Sequence, residues 1–323
     1  MLTYAQPQTH MPLIIKKTAT WCPYCGGWGW ELQKELEERN DKNVVILQVH
    51  SSEASELYNS AAKELLDSLP VAAAIPFWYV NGERCFDYHI SVNMNRALIN
   101  QQIDSTFDEP ALAGIAYEFD LHGDTLDVET TVEFFEDTSG IFYLSAWIVE
   151  DGVYAFQNGL ENEEPYHSHV LRGSMTPSVF GEVCADGLIQ ADDLYKNSFS
   201  MLLDTGYRLH QTYLAFAIWK LESGGYKFIN AYKNSETLGK PRILELTGEL
   251  PHPNPTTGKV FILNQKLYGE TTVSVYDTFG RFLFEEKFEI LTHEIDLSRY
   301  RSGMYLFKIK SGSNQSVVRI IKK

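Results

Sequence analysis

The sequence has few cysteines, few basic residues and no long apolar run. Four cysteines in 323 residues are too few for a disulfide framework, which excludes the small disulfide-stapled scaffolds. The 27 basic against 43 acidic residues give a formal net charge of −16, which argues against a nucleic-acid footprint and against docking on anionic lipid. The longest nearly apolar stretch, Leu69–Val80, contains two prolines, whereas a transmembrane helix needs about 20 apolar residues. No transmembrane segment is predicted.

The composition is that of a folded protein with more than one domain. Apolar residues make up 44% and aromatic residues 13%, which excludes wholesale disorder. The charge is unevenly distributed: residues 1–105 carry 8 basic and 12 acidic side chains, residues 106–249 carry 8 and 24, and residues 250–323 carry 11 and 7. Charge shifts of this kind accompany module boundaries. We predict three domains, at 1–108, 109–247 and 248–323.

The first domain alternates predicted strands and helices. Short apolar runs predict buried strands, and apolar residues at helical spacing predict amphipathic helices. Asn81-Gly82 is a type I′ turn signal between two short strands. The elements in order are a strand at Leu13–Ile15, a Cys-x-x-Cys turn, a helix at Glu31–Arg39, a strand at Asn43–Val49, a helix at Ser55–Leu69, a hairpin at Ile75–Phe86 and a helix at Ser91–Ile103. This order predicts an α/β unit with parallel strands.

The rest of the chain is predicted to be all-β. Alternating, aromatic-rich runs between polar turns predict a central antiparallel β-sandwich, although Tyr207–Leu221 is equally compatible with a strand or a helix. Three prolines in Leu250–Pro255 predict a stiff linker. Six short strands follow and predict a small C-terminal β-sandwich: Val260–Leu263, Thr271–Tyr276, Phe282–Phe288, His293–Leu297, Met304–Lys310 and Val317–Lys322.

Cys22 and Cys25 carry the clearest chemistry. A Cys-x-x-Cys that opens a helix places its first sulfur at the helix N-terminus, where unpaired N–H groups and the helix dipole stabilise a thiolate. Cys22 is therefore the candidate nucleophile and Cys25 the resolving thiol. Zinc sites use the same spacing, but no second Cys-x-x-Cys or His-x₃₋₅-His supplies further ligands. A purely structural disulfide is the alternative that stays open.

The dithiol and a downstream proline resemble the thioredoxin fold. Trp21-Cys22-Pro23-Tyr24-Cys25 follows a strand, and Ile75-Pro76 precedes a hairpin. The resemblance spans about residues 12–105 and implies that Pro76 is cis, packs against the dithiol and receives the substrate peptide. It also implies a buried carboxylate six residues before the first cysteine, a position that Lys16 occupies here. The resemblance therefore does not carry the proton transfer of that carboxylate over to this sequence.

Residues 12–240 together resemble the outer-membrane-protein-28-related family, a thioredoxin-like domain followed by a β-rich domain. The second part of the match is Tyr166–Arg172. Its His167 and His169 would share one face of a strand and could bind a metal, but without a third ligand a structural role is favoured. Three acidic runs lack the calcium-loop pattern and are predicted to be solvated faces: Asp120–Asp127, Glu161–Glu164 and Asp186–Asp193. No metal or cofactor site is predicted.

The C-terminal segment resembles a type A sorting domain of the type IX secretion system. Five motifs occur in register: Pro253–Gly258, Val273–Asp277 with Gly280-Arg281, Ile295–Ser298, Ser302–Tyr305 and Ile320–Lys323. The resemblance implies export through the periplasm and recognition of residues 250–323 by the outer-membrane translocon and a sortase. It places the protein at the cell surface or outside the cell, where an oxidised Cys22–Cys25 pair is expected. Thr3–Gln6 could be the tail of a signal peptide.

Two functions remain open from the sequence. The first is an exported thiol–disulfide oxidoreductase that acts on protein thiols and disulfides, with Cys22 attacking, Cys25 resolving and Pro76 presenting the substrate backbone. The second is a surface binding or adhesin-type protein in which the dithiol is a structural disulfide. The fold alone does not decide between them.

Overall fold

Strands and helices alternate at the start of the computed structural model, which describes residues 9–39, 44–161, 164–239, 251–263, 271–278, 280–288, 292–311 and 314–323. The elements are β1 (Leu13–Thr18), α1 (Pro23–Gly26), α2 (Trp28–Glu37), β2 (Val45–His50), α3 (Ser60–Ser68), β3 (Phe77–Val80), β4 (Glu83–Arg84) and α4 (Val92–Asp108). Strand β1 pairs in parallel with β2 and antiparallel with β3. Thr3–Gln6, part of Glu161–Glu164 and residue 250 of the linker lie outside the described residues.

The next part of the chain consists of strands with one short helix. The elements are β5 (Ala113–His122), β6 (Thr125–Phe134), β7 (Thr138–Glu150), β8 (Val153–Tyr154), β9 (Tyr166–His167), β10 (Val170–Ser174), β11 (Glu182–Ile189), β12 (Leu194–Leu202), a 3₁₀ turn (Leu209–Gln211), β13 (Thr212–Glu222) and β14 (Gly225–Thr237). Tyr207–Leu221, left open by its pattern, is therefore mostly strand. From Thr212 to Trp219 the strand is buried on both faces between β7 and β14, and such strands read as continuous apolar runs.

One large sheet joins elements from both sides of residue 108. Its order is β14-β13-β7-β10-β2-β1-β3-β4, with β11 also paired to β7. The junction is the parallel pairing of β10 with β2 at Val170 and Gln48. Contacts divide the chain into compact units within 1–238 and 239–323. The boundary at residue 108 stays a prediction.

A three-stranded sheet, β12-β6-β5, covers part of one face of the large sheet. Along β7, Leu144, Ala146 and Ile148 pack in the core shared with β5, β6 and β12. The alternate residues Trp147 and Val149 pack in a second core with β1, β2 and β3. Because side chains of a strand alternate between faces, β7 contributes to both cores.

The C-terminal unit is all-β. Its six strands match the six predicted ones: β15 (Lys259–Leu263), β16 (Thr271–Asp277), β17 (Phe282–Phe288), β18 (Thr292–Asp296), β19 (Gly303–Ser311) and β20 (Asn314–Lys322). They form a two-stranded sheet, β15-β18, and a four-stranded sheet, β17-β16-β19-β20. Val260, Ile295 and Phe307 lie in the core that the two sheets share. Among the described residues, no helix is long and apolar enough to cross a bilayer.

Candidate functional site

The dithiol lies where β1 turns into α1. Cys22 is the N-cap residue, and its sulfur accepts a hydrogen bond from the Cys25 backbone N–H at 3.2 Å. Pro23 occupies the first helical position, where a missing N–H costs nothing. The sulfur of Cys22 therefore lies at the N-terminus of α1, beside the backbone N–H of Cys25.

Both sulfurs are buried and reduced. Cys22 is 2% and Cys25 1% exposed, and both are free thiols. The disulfide expected for an exported dithiol is therefore not formed in this structure. Burial and the hydrogen bond with Cys22 raise the pKa of Cys25 to about 12, against an opposing hydrogen bond from Thr18. Cys25 is therefore a protonated thiol near pH 7.

Pro76 lies beside the dithiol. The Ile75–Pro76 peptide bond is cis, as the resemblance implies, and the carbonyl oxygen of Ile75 is 3.7 Å from the sulfur of Cys22. The hydroxyl of Tyr88 donates to the carbonyl of Pro76 at 3.1 Å. The structure thus brings together the three residues singled out from the sequence.

Exposed aromatic side chains belong to the same region. Trp21 is 46%, Tyr24 65% and Tyr88 41% exposed. Trp21 and Tyr24 are chain neighbours of Cys22 and Cys25, and Tyr88 bonds to Pro76. Large aromatic side chains that remain in solvent next to a buried reactive group offer an apolar contact surface to a bound chain.

A segment from later in the chain covers the dithiol turn. Residues 155–160, hereafter the covering segment, lie between β8 and β9. Asn158 donates from its backbone to the carbonyl of Thr20 at 2.8 Å and from its side chain to that of Trp21 at 3.0 Å. The side chain of Gln157 donates to the carbonyl of Cys22 at 3.0 Å. Sequence reasoning missed this contact, because more than 130 residues separate the partners.

Polar side chains form a buried face beneath the dithiol. Lys16 and Thr18 lie on one face of β1, opposite Gln48 and His50 of β2 in the parallel register. All four are at most 2% exposed. The sequence carries a signal for this face, since both strands place polar residues two apart within apolar runs, and side chains two apart share a face. We refer to these four residues as the polar face.

Lys16 is the charged member of the polar face. Burial lowers its pKa to about 8, while Cys25, Glu37 and Cys22 act in the opposite direction. Its ammonium nitrogen is 5.6 Å from the centre of the Trp78 ring. Among the described residues, no carboxylate lies within ion-pair distance of this nitrogen. A lysine thus occupies the position where the resemblance implies a carboxylate.

His50 of the polar face lies next to a second histidine, His167. The rings of His50 and His167 are 5.4 Å apart. His50 Nδ1 contacts the Ser55 hydroxyl at 2.7 Å, and His167 Nε2 contacts the Ala155 carbonyl at 3.2 Å. Burial lowers the pKa of His167 to about 4 and that of His50 well below its usual value. Both rings are therefore neutral near pH 7.

His167 and His169 do not share a strand face. Strand β9 ends at His167, and His169 has a positive φ of 54°. Its ring bonds to the hydroxyl of Tyr213 at 2.6 Å, away from His50. The described residues include no group of three or more His, Cys, Asp or Glu side chains that could hold a metal ion.

Comparison with known proteins identifies the C-terminal unit as a sorting domain. Residues 252–323 match the family model of the secretion system C-terminal sorting domain, here that of the type IX system. The structure is similar to HBP35 of Porphyromonas gingivalis, with 15% identity, a TM-score of 0.57, and 99% of this chain and 100% of that chain covered. It is also matched to a domain of the outer-membrane lipoprotein Omp28 from the same organism, with 14% identity, a TM-score of 0.25, and 38% and 86% covered.

These findings place the protein outside the cytoplasmic membrane. The sorting domain marks a secreted or cell-surface protein that interacts with the type IX secretion machinery. The likeness to HBP35 extends over the whole chain and concerns the fold. No protein of curated function matches the chain at a significant level.

Proposed function

We propose that the protein is an exported, thioredoxin-like thiol–disulfide exchange protein that acts through Cys22 and Cys25. The observation that supports this proposal most strongly is the position of Cys22 at the N-cap of α1. The Cys25 thiol lies in the same helical turn, and the cis Ile75–Pro76 peptide lies beside Cys22. Strand β1, β2, β3 and the helices supply the strand order that a thioredoxin-like domain uses. The Omp28-related resemblance of residues 12–240 is part of the same proposal.

The exchange proceeds in two displacements. The Cys22 thiolate attacks one sulfur of a substrate disulfide, forming a mixed disulfide and releasing the first substrate thiolate. The Cys25 thiolate then attacks the sulfur of Cys22 and releases the second. Two electrons pass to the substrate, and Cys22 and Cys25 end as a disulfide. The carbonyl of Ile75 and the exposed aromatics present the surface on which the substrate backbone lies.

The sorting unit delivers this activity to the cell exterior. Residues 250–323 would engage the translocon, and a sortase would cut near the linker. Protein disulfides persist in that compartment, so substrate disulfides are available there. Each turnover leaves Cys22 and Cys25 as a disulfide, and a thiol reductant must reduce the pair before the next.

A trapping experiment tests the proposal. In Cys25→Ser the second displacement cannot occur, so mixed disulfides between Cys22 and surface proteins accumulate and appear on non-reducing gels. The matched control, Cys22→Ser, forms none. Absence of adducts in Cys25→Ser, together with no insulin reduction by the wild-type protein, would refute exchange.

A surface binding protein is the second candidate, and the burial of both sulfurs favours it. Cys22 and Cys25 are each at most 2% exposed, as structural cysteines are. In this case the double variant Cys22→Ser, Cys25→Ser keeps full binding of its surface partner and loses thermal stability. The exchange proposal instead expects the double variant to lose insulin reduction while remaining folded.

A further inference from the structure

We propose that a cleft beside α2 binds a guanidinium group, as carried by arginine. The cleft has a volume of about 340 Å³ and is bordered by α2, β2 and residues 164–168. Neither cysteine of the dithiol nor Pro76 belongs to its wall, so binding here does not depend on thiol–disulfide exchange. The side chains that give the wall its chemistry are Trp30, Gln33, Lys34, Glu37, Glu164 and Tyr166.

Glu37 brings a carboxylate to the wall without a lysine or arginine beside it. Its Oε1 accepts hydrogen bonds from Gln33 Nε2 at 2.9 Å and from the Ser168 hydroxyl at 2.6 Å. Among the described residues, its Oε2 has no hydrogen-bond partner. His169 Nε2 lies 3.8 Å from Oε1, but burial lowers the pKa of His169 to about 4, so this ring is neutral near pH 7. The Glu37 side chain is 25% exposed, which leaves Oε2 open to a ligand.

Gln33 contributes a hydrogen-bond acceptor that the protein leaves unused. Its side chain is buried, at 3% exposure. Because a carboxylate only accepts hydrogen bonds, the contact with Glu37 identifies the amide nitrogen and leaves the carbonyl oxygen as the other atom. That oxygen is buried and has no partner within the part of the chain that the structure describes. A buried carbonyl without a donor costs free energy, and a donor from a ligand in the cleft would remove this cost.

Trp30 contributes an unused donor on the same side of α2. It precedes Gln33 by three residues, and helix residues three apart are neighbours on one face. Its side chain is 7% exposed, and its indole Nε1–H finds no acceptor among the described residues. Indole can only donate. A ligand that satisfies both side chains therefore needs an acceptor as well as donors, and arginine has both in its carboxylate or carbonyl group and its guanidinium.

The rest of the wall favours a planar organic cation. Glu164 adds a second, exposed carboxylate, and the Tyr166 ring is 53% exposed. A guanidinium binds carboxylates through its fork of N–H donors and stacks on aromatic rings. A metal ion would need several oxygen or nitrogen ligands, and the described residues contain no group of three or more side chains that could hold one. Lys34 is the one cation among the residues of the wall, so the two carboxylates outnumber it.

Calorimetric titration of the full-length protein with L-arginine tests this site. We expect arginine to bind at a single site per chain. L-Citrulline carries a neutral urea in place of the guanidinium and should bind roughly 10- to 100-fold more weakly, the scale of a lost charge-assisted hydrogen bond. The amide of N-acetyl-arginine represents an arginine within a polypeptide. If it binds as tightly as free arginine, the ligand is a polypeptide side chain; if it binds more weakly, the ligand is the free amino acid.

Charge-removing variants make the result specific. Glu37→Gln keeps the shape of the side chain and removes its charge, so arginine binding should weaken by roughly 10- to 100-fold. Glu164→Gln should weaken it too, and because Glu164 is exposed this variant keeps the core intact even if Glu37→Gln does not fold. Glu38→Gln is the matched control: Glu38 is exposed and lies outside the wall, so binding should equal that of the wild type. Circular dichroism establishes that each variant is folded.

Lys34→Met distinguishes a cation site from an anion site. If the cleft binds the guanidinium, removal of the nearby ammonium should keep or strengthen arginine binding. Weaker binding in Lys34→Met would show that Lys34 holds the carboxylate of arginine, and would overturn the proposal. Absence of binding at millimolar arginine, or equal affinities for arginine and citrulline, would also overturn it. None of these results affects thiol–disulfide exchange, which the adducts of Cys25→Ser test separately.

Discussion

Gly26 and Gly159 are the positions where the covering segment and the dithiol turn come closest. A Cβ added at Gly26 would lie 2.2 Å from the carbonyl oxygen of Asn158, and one at Gly159 would lie 2.1 Å from that of Pro23. Both obstacles are backbone atoms, which cannot rotate away. Gly159 also has a φ of +83°, a conformation that favours glycine. The absence of side chains here lets the two backbones touch.

We predict that Gly26→Ala destabilises the first unit. Alanine favours a helix over glycine by at most about 1 kcal/mol, whereas overpacking against fixed atoms costs about 1–3 kcal/mol. The melting temperature should therefore fall. All six tryptophans lie before residue 220, so tryptophan fluorescence follows this unit alone.

Gly224→Ala is the control for this substitution. An added Cβ meets no atom within 4 Å at Gly224, and its melting temperature should stay at the wild-type value. A Gly26→Ala protein as stable as the wild type would show that the covering segment does not press on the dithiol turn.

At the scale of elements, strands β1 and β2 carry the buried polar face. Strand β1 ends at the dithiol turn, and each strand has one partly polar, buried face. Lys16, Thr18, Gln48 and His50 are all buried, so the polar face sits in the interior beneath α1 and α2. Buried polar groups cost free energy unless they are paired or used.

Burial of His167 predicts a pH dependence of stability. In the folded protein its pKa is about 4, against 6.5 for an unperturbed histidine, so the unfolded chain binds a proton first as the pH falls. The free energy of unfolding therefore starts to fall near pH 6.5. The decrease reaches roughly 2–3 kcal/mol by pH 4.5 and stops growing below pH 4. Urea unfolding followed by tryptophan fluorescence at pH 7 and pH 4.5 measures this loss.

His167→Gln isolates the contribution of this ring. Between pH 7 and pH 4.5, the free energy of unfolding of the variant should fall by roughly 2–3 kcal/mol less than that of the wild type. His122→Gln is the control, because the His122 side chain is 69% exposed; its loss should equal that of the wild type. Equal losses in His167→Gln and the wild type would mean that His167 is not buried as a neutral ring.

Local patterns predicted the elements well and their long-range pairing poorly. The helix–strand order around the dithiol and all six C-terminal strands follow from short-range periodicity. The strand at Thr212–Glu222 could not be told from a helix, because it is buried on both faces. Cys22 and Cys25 were found by residue type and spacing, and Pro76 by the resemblance to the thioredoxin fold. The covering segment was not, since its contacts depend on the final path of the chain.

At the scale of the whole molecule, the dithiol and the sorting domain lie in different compact units. Residues 252–323 match a sorting domain and form a compact unit of their own. The negative charge concentrates in residues 106–249, with 8 basic and 24 acidic side chains, which suits a solvated exterior surface. The charge distribution predicts a domain boundary near residue 108. Strand β2 precedes that boundary and β10 follows it, yet the two pair in one sheet. Such a parallel pairing between distant segments leaves no local signal.

The reduction potential of the Cys22–Cys25 pair tests thiol–disulfide exchange most directly. Full-length protein is equilibrated in thiol–disulfide buffers of known potential, and the reduced fraction is measured by alkylation of the free thiols. Cys85 and Cys184 are free in the structure and are replaced by serine so that only the pair reports. We predict a potential above about −300 mV, in the range of exchange catalysts. A value below about −300 mV would identify a structural disulfide and contradict exchange.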